Sequence, residues 1–127
     1  MPIASNGDVV LVRQYVRGVA VEMGLSLVDQ TKVVTAASEL ARNALVYAGG
    51  GAVRVETVEN GRRRGVRLTF SDEGPGIPDV DRAMTDGWSS GTGLGLGLSG
   101  SRRLVDEFDL ESAPGKGTVV TVTKWGR

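Results

Sequence analysis

A carboxylate and an amide at helical spacing are the first residues that could carry out chemistry. Glu39 and Asn43 are four residues apart, in a segment predicted to be a helix from about Asp29 to Tyr47, so their side chains share one face. A carboxylate can take a proton from a reacting hydroxyl, and an amide oxygen is a ligand that Mg²⁺ accepts. Taken alone, the pair is more typical of a solvated polar stripe opposite the apolar face of a helix.

A glycine-rich turn follows the second of two predicted strands. Asp72-Glu73-Gly74-Pro75-Gly76 comes directly after the strand that ends near Phe70. A carboxylate fixed at a strand end can accept a hydrogen bond from an exocyclic amine such as that of adenine, and glycines leave room for a base beside the backbone. Aspartate, glycine and proline are also ordinary turn residues, so the segment by itself permits both interpretations.

Glycine stands at every second position between residues 91 and 97. Such a run predicts a loop, because glycine loses the most conformational entropy in a regular element. The residues concerned are Gly91, Gly93, Gly95 and Gly97. The segment after them places its apolar residues on one face and predicts a helix that runs to Phe108. Converging N–H groups at the start of a helix bind anions, so the loop is predicted to hold phosphates.

Two other glycine patterns resemble nucleotide motifs but lack the context that those motifs need. Residues 95–100 match the dinucleotide pattern G-x-G-x-x-G, but no buried strand is predicted before them. Gly115-Lys116-Gly117-Thr118 resembles the end of a Walker A motif, yet a glycine separates the lysine from the threonine and no helix follows. We interpret this second segment as a hairpin turn, with Thr118 reaching back toward the ligand.

The composition excludes several kinds of chemistry. The 127 residues contain no cysteine and no histidine, which excludes disulfides, the usual zinc and transition-metal sites, and a histidine general base. The 15 basic and 15 acidic residues cancel, so no net charge attracts nucleic acid or an anionic membrane. The length fits one domain over residues 1–127, and the lack of a leader or an apolar span predicts a cytoplasmic protein.

The order of the predicted elements indicates an α+β fold. A first helix is predicted from Asp8, as its N-cap, to Gly24, and the second helix ends at the glycines that begin with Gly49. Alternating residues predict strands around 53–57 and 66–70, and later strands over 109–112 and 118–125. A short helix is predicted over 80–85 and a loop over 86–93. Hairpin-like strand pairs favour a two-layer sandwich, with a mixed or antiparallel sheet and the helices on one face.

Taken together and in this order, the Glu/Asn helix, the Asp-x-Gly-x-Gly turn and the glycine loop resemble the three ATP-binding boxes of the GHKL superfamily, which includes gyrase, histidine kinases and MutL. The chain is most similar to the small bacterial anti-sigma factors and switch kinases, and among them to the RsbT-type serine/threonine kinases of stress-response partner switching. The resemblance extends almost from end to end. It also includes Tyr47-Ala48-Gly49, Asp106-Glu107-Phe108 and Lys124-Trp125.

The resemblance implies roles for three residues of the second helix. Glu39 would be the general base that polarises a serine or threonine hydroxyl of a partner protein. Asn43 would be the protein ligand of Mg²⁺. Arg42, which lies between them in sequence, is interpreted either as a contact to phosphate or to the partner, or as half of a surface ion pair.

The resemblance also implies which residues hold ATP. Asp72 would accept a hydrogen bond from the adenine amino group, and Thr118 would support the adenine side through its hydroxyl or a water. Gly74 and Gly76 would line the base. The phosphates would lie in the loop formed by Gly91, Thr92, Gly93, Leu94, Gly95, Leu96 and Gly97.

Two functions are compatible with this set of residues. The first is an ATP-dependent serine/threonine kinase whose substrate is a STAS-domain antagonist or stressosome-type scaffold protein, and which then binds a phosphatase activator. The alternative is an anti-sigma factor or adaptor, in which ATP shapes a docking surface for a sigma factor. A plain α+β domain whose glycine loops have no function is the third interpretation.

Two features of the sequence depart from the wider superfamily and bear on which of its functions the chain could have. The segment between Gly76 and Gly91 is short, which implies a small ATP lid, and no phosphoacceptor histidine is present, which argues against a histidine autokinase. Trp88 and Trp125 are interpreted as half-buried packing residues, with partner contacts as the alternative.

Overall fold

The computed structural model describes residues 1–76 and 94–126. Its first layer contains helix α1, Asn6–Glu22. The N-cap is Ser5, whose Oγ accepts from the Asp8 N–H at 3.3 Å, and Oδ2 of Asp8 accepts from the Ala4 N–H at 2.8 Å. The prediction of Asp8 as N-cap is therefore wrong. Asp8 is the acidic residue of the first turn, and its carboxylate reaches back to the N–H of Ala4, the residue before the N-cap.

Helix α2, Leu27–Ala48, lies beside α1 and carries the Glu/Asn pair. Ser26 is its N-cap, and its Oγ accepts from the Asp29 N–H at 3.2 Å, so the helix begins two residues earlier than predicted. Gly49 ends the helix with φ of 73°, a left-handed conformation that favours glycine. The predicted C-terminal break is thus confirmed.

The second layer is a five-stranded sheet in the order β1-β2-β3-β5-β4. Each described pair of neighbouring strands is antiparallel, which confirms the α+β prediction and selects the antiparallel alternative. The strands are β1 Pro2–Ile3, β2 Gly51–Asn60, β3 Arg63–Asp72, β4 Glu107–Ser112 and β5 Thr118–Trp125. The last strand has the predicted bounds.

Helix α3, Leu94–Leu104, packs against α2. Gly95 and Gly97 are therefore helical in backbone, whereas the sequence predicts a loop up to residue 97. The helix also ends before Phe108, which belongs to β4 and packs, half-buried, against the core. The chain leaves the helix because the Asp106 N–H already donates to Thr123 O of β5 at 2.9 Å. Residues 80–85, the loop over 86–93, Trp88 and Gly91 to Gly93 lie outside the described residues.

The hydrophobic core fills the space between the helices and one face of the sheet. The buried residues of α1 and α2 supply most of the helical side, and alternate residues of β3 and β5 supply the other. Its sheet members include Val53, Val66, Leu68, Phe70, Val120 and Val122. Trp125 is buried, and its indole Nε1–H donates to Glu107 Oε2 at 2.6 Å, which agrees with its interpretation as a packing residue.

Over the described residues, no helix is both long and apolar enough to cross a membrane.

Candidate nucleotide site

A cavity opens between the C-terminal half of α2 and the adjoining ends of β3 and β5. Its walls are mostly apolar, with a few polar groups, which is typical of small-molecule sites. The lining residues are Leu40, Asn43, Ala44, Tyr47, Ala48, Phe70, Asp72, Pro75, Gly76, Leu98, Thr118 and Val120. Four of the predicted site residues are among them: Asn43, Asp72, Gly76 and Thr118.

Asp72 is the last residue of β3, and Thr118, the first residue of β5, is its partner in the register. The Asp72 carboxylate is oriented by the next turn of the chain, because its Oδ1 accepts the Gly74 N–H at 3.0 Å. The side chain is thus held at a strand end, as the sequence analysis expects for a group that selects an amine donor. An ionised carboxylate only accepts hydrogen bonds, so this wall of the cavity favours a ligand that donates.

The Thr118 hydroxyl is also held in place. Its Oγ1 lies 2.8 Å from Ser112 Oγ, and the Ser112 hydroxyl donates to Gly117 O at 3.0 Å. Ser112 belongs to β4 and is paired with Thr118 in the register. The hydroxyl at the cavity wall therefore belongs to a small network and does not rotate freely.

Close packing leaves no room for a side chain at the two glycines after β3, which the sequence alone does not predict. Gly76 lines the cavity with φ of 78°, and a Cβ there would collide with the carbonyl of Ala113. At Gly74 a Cβ would lie 2.5 Å from Cβ of Ala48 on α2. These residues let the Asp72 loop pack tightly against α2 and against the turn before β5. Only Gly76 of the two is among the cavity-lining residues.

Asn43 contributes an unsatisfied polar group to the cavity wall. Its Nδ2 is buried and has no hydrogen-bond partner in the described part of the chain. An unpaired buried amide costs about 1–3 kcal/mol, so it indicates a place for a polar ligand. A 180° rotation of the amide exchanges its nitrogen and oxygen, so the side chain can present either a donor or an acceptor.

This donor set fits Mg²⁺ bound together with a nucleotide. The described residues contain no group of three or more acidic, histidine or cysteine side chains that could enclose a metal ion. Mg²⁺ in phosphate-transfer sites usually takes one or two protein ligands and completes its shell with phosphates and water. A single amide oxygen from Asn43 is compatible with that arrangement.

Glu39 lies one turn before Asn43 on α2 and is not among the cavity-lining residues. Its side chain is 41% exposed, and its Oε1 is 3.6 Å from Nη1 of Arg42. Arg42 thus makes the surface ion pair, which is one of the two interpretations of this residue. A carboxylate placed in this way is accessible to a hydroxyl on another macromolecule.

The beginning of α3 adjoins the same cavity, since Leu98 of this helix is a lining residue. Leu94, Gly95, Leu96 and Gly97 form the backbone of its first turn, and the first N–H groups of a helix have no partner within the helix, so they can bind an anion. Gly91, Thr92 and Gly93 lie outside the described residues.

Several cavity residues are missing from the set that the sequence analysis predicts. Tyr47 is one helical turn beyond Asn43, Phe70 is two residues before Asp72, and Val120 is two residues after Thr118. Each shares a face with a predicted site residue, so helical and strand periodicity applied outward from those residues would have found them.

Comparisons with known proteins agree with this geometry. The family model described as "Histidine kinase-, DNA gyrase B-, and HSP90-like ATPase" matches residues 28–125, so the chain belongs to this family. Family membership implies ATP binding.

Sequence identity to individual relatives shows which members of the family this chain resembles. The chain is 46% identical to the "Serine/threonine-protein kinase RsbT" of Bacillus subtilis (strain 168), over 98% of this chain and 94% of that protein. It is 27% identical to the "Anti-sigma F factor" of Thermoanaerobacter sp. (strain X514), over 89% of this chain and 82% of the relative. The chain is an RsbT-like serine/threonine kinase of the ATPase family.

The fold also matches a solved structure. The "Mycobacterial sensor histidine kinase MprB" superposes with a TM-score of 0.60 at 20% identity, and the match covers 100% of this chain and 97% of that one. At this identity the match shows the shared fold alone.

Proposed function

We propose that this chain transfers the γ-phosphoryl group of ATP to a serine or threonine of a STAS-domain partner in a stress-signalling module. The observation that carries the proposal is the arrangement of α2. It presents an unsatisfied amide, Asn43, to the cavity and a half-exposed carboxylate, Glu39, one turn away at the surface. The proposal includes action as one domain over residues 1–127 and a cytoplasmic location.

Asp72 and Thr118 hold the adenine in this proposal. Both are fixed by hydrogen bonds within the protein, so little side-chain entropy is lost when a base binds between them. Phe70 and Val120 supply apolar surface on the same walls of the cavity. The base is thus bound by apolar contact and oriented by polar groups at its edge.

Asn43 and the start of α3 act on the phosphate side. Mg²⁺, bound by Asn43 and the phosphates, would supply charge neutralisation during phosphoryl transfer. The glycine segment from Gly91 to Gly97 is the proposed phosphate loop, and the first turn of α3 contributes its backbone N–H groups.

Glu39 acts as the general base. Its carboxylate takes the proton of the partner's hydroxyl while that oxygen bonds to the γ-phosphorus and the bond to the ADP oxygen breaks. The ion pair with Arg42 keeps the carboxylate at the surface of α2, where a protein substrate can reach it. Arg42 is the one charged residue between Glu39 and Asn43 in the sequence.

The experiment that tests the proposal is incubation with γ-labelled ATP and purified STAS-domain proteins, followed by mapping of the label. We expect label on one serine or threonine of the partner. Label that stays on this chain alone, with none on any partner, would contradict the kinase assignment to STAS proteins.

The alternative function, an anti-sigma factor or adaptor, is favoured by the similarity to anti-sigma F factors. It uses the same cavity but needs no proton acceptor. In that case a sigma factor would bind in an ATP-dependent manner, and replacement of Glu39 by glutamine would leave the binding intact. Two further partners are therefore to be tested beside the STAS proteins. They are a sigma factor, for the alternative function, and a phosphatase activator, which the kinase would bind after phosphoryl transfer.

A further inference from the structure

Three polar residues lie in one row across the ends of three strands. Asp72 of β3 is paired with Thr118 of β5, and Thr118 is paired with Ser112 of β4. Asp72 and Thr118 line the cavity, whereas Ser112 is one strand further out and is not a lining residue. No motif of the sequence analysis includes Ser112.

The hydrogen bonds in this row favour one placement of the two hydroxyl protons. Gly117 O can only accept, and the Ser112 hydroxyl donates to it at 3.0 Å. Either oxygen could donate in the contact of 2.8 Å between the two hydroxyls; with the Ser112 proton on Gly117 O, the donor is Thr118. The Thr118 oxygen consequently presents lone pairs, and no proton, to the cavity.

We propose that Ser112 is a positioning residue that makes the nucleotide pocket select a purine with an amino group, and reject one with an oxo group, at the same ring position. The inference rests on the proposed binding of ATP. With Ser112 present, the polar wall consists of two acceptors, the Asp72 carboxylate and the Thr118 oxygen. Two acceptors match the two protons of an amino group.

A 6-oxo purine meets a different environment in the same pocket. Its oxygen would face the lone pairs of Thr118 and leave a buried acceptor unpaired, and sites of this kind discriminate strongly against such ligands. Without the Ser112 hydroxyl, Thr118 is released to rotate and to direct its proton into the cavity. The pocket would then donate to an oxo group at Thr118, while Asp72 accepts the ring N–H that accompanies it.

The test compares the affinities of ATP and inosine triphosphate (ITP), which carries the oxo group in place of the amino group. Titration calorimetry with Mg²⁺ would use the wild-type chain, Ser112→Ala and Ser112→Thr. We expect Ser112→Ala to lower the ratio of ATP to ITP affinity about tenfold, with weaker ATP binding and stronger ITP binding. Ser112→Thr keeps a hydroxyl and should keep the wild-type ratio.

Two further variants complete the test. Thr118→Val removes the hydroxyl, so ATP should bind more weakly with no gain for ITP. Ser112→Cys keeps the volume with a poor hydrogen-bonding group and should resemble Ser112→Ala if the alanine variant does not fold.

The possible failures are distinguishable. Equal weakening of ATP and ITP in Ser112→Ala, or an unchanged ratio, would overturn the role of Ser112 and leave ATP binding intact. A wild-type chain that binds neither nucleotide would overturn the proposed function itself, and this inference with it.

Discussion

Two residues of α2 lie in different environments, which their spacing in the sequence does not reveal. Glu39 and Asn43 share a helix face, but only Asn43 lies at the cavity, while Glu39 is at the surface beside Arg42. A kinase that acts on another protein needs this division, because the nucleotide must be enclosed and the acceptor hydroxyl must arrive from outside. The exposure of Glu39 is thus part of the argument for a macromolecular substrate.

Replacement of Asn43 tests the ligand role of its amide. In Asn43→Ala we expect no loss of stability without ligand, because the buried Nδ2 has no partner to lose among the described residues. MgATP should raise the Tm of the wild-type chain, by the equivalent of about 2.7 kcal/mol at a hundredfold excess over Kd, and should not raise that of the variant. Thermal unfolding with and without MgATP measures both effects.

Gln14→Ala is the matched control, since it removes an exposed amide from α1. It should retain the full MgATP-dependent rise in Tm. A rise of wild-type size in Asn43→Ala would show that the amide does not hold the ligand.

At the scale of elements, the loop after β3 is fitted between α2 and the turn that precedes β5. The Gly115 N–H donates to Pro75 O at 2.7 Å, so the two turns are joined by a backbone hydrogen bond. Gly76 and Gly115 have nearly equal φ angles, 78° and 76°. They differ in surroundings, because a Cβ at Gly115 would meet nothing within 4 Å.

This pair gives a controlled test of the packing. Gly115→Ala should cost about 1 kcal/mol of unfolding free energy, which is the strain of a left-handed alanine. Gly76→Ala carries the same strain and the collision with the Ala113 carbonyl, so it should cost at least twice as much. Urea unfolding measures both values. Equal losses would show that the close approach at Gly76 does not matter to stability.

Much of each element is predictable from the sequence, and the exceptions have physical causes. Both long helices lie close to where the sequence predicts them, because their apolar residues recur at helical spacing and that face is buried. The cap of α1 differs because Ser5 and Asp8 are both good N-cap residues, and it is Ser5 Oγ that accepts an N–H of the first turn, from Asp8. The end of α3 differs because β5 pairs with Asp106, a contact between residues distant in sequence.

The candidate site, too, is predictable from the sequence only in part. Asp72 and Asn43 stand in recognisable local patterns, and the structure places them on walls of one cavity. Ser112 has no pattern of its own, because its importance depends on the placement of β4 beside β5, which local sequence does not determine.

For the whole molecule, a partly buried ionic cluster joins the two layers at the end of β5. Lys124 Nζ lies 3.5 Å from Asp29 Oδ1 near the start of α2 and 3.3 Å from Asp106 Oδ1, between α3 and β4. The side chains of Lys124 and Asp29 are each 5% exposed. Asp106 also accepts the Trp125 N–H at 2.7 Å. Removal of one member would leave a buried charge less well paired.

This cluster predicts a stability difference that depends on pH. Burial raises the pKa of the Asp106 carboxyl, but the hydrogen bond from Trp125 and the charge of Lys124 outweigh it, so the folded-state pKa lies below 3.8. A carboxyl with a depressed pKa contributes stability above its unfolded pKa and loses that contribution as pH falls through the folded pKa. Asp106→Asn should therefore be less stable than wild type at pH 7, with a difference that shrinks below about pH 4.

Urea unfolding of both proteins across the acid range measures this. Asp109→Asn is a suitable control, because Asp109 is an exposed carboxylate of β4. A difference for Asp106→Asn that stays constant from neutral pH to pH 3 would contradict the ionic contribution.

The central claim, that Glu39 is the base of a protein kinase, is tested most directly by the rate of single-turnover phosphoryl transfer in Glu39→Gln. With a labelled STAS partner as acceptor, we expect the rate to fall about 10²- to 10⁴-fold, while the Kd for ATP stays within about twofold of wild type. Glu22→Gln, at an exposed position of α1, should transfer at the wild-type rate. Undiminished transfer by Glu39→Gln, with ATP bound normally, would contradict the account.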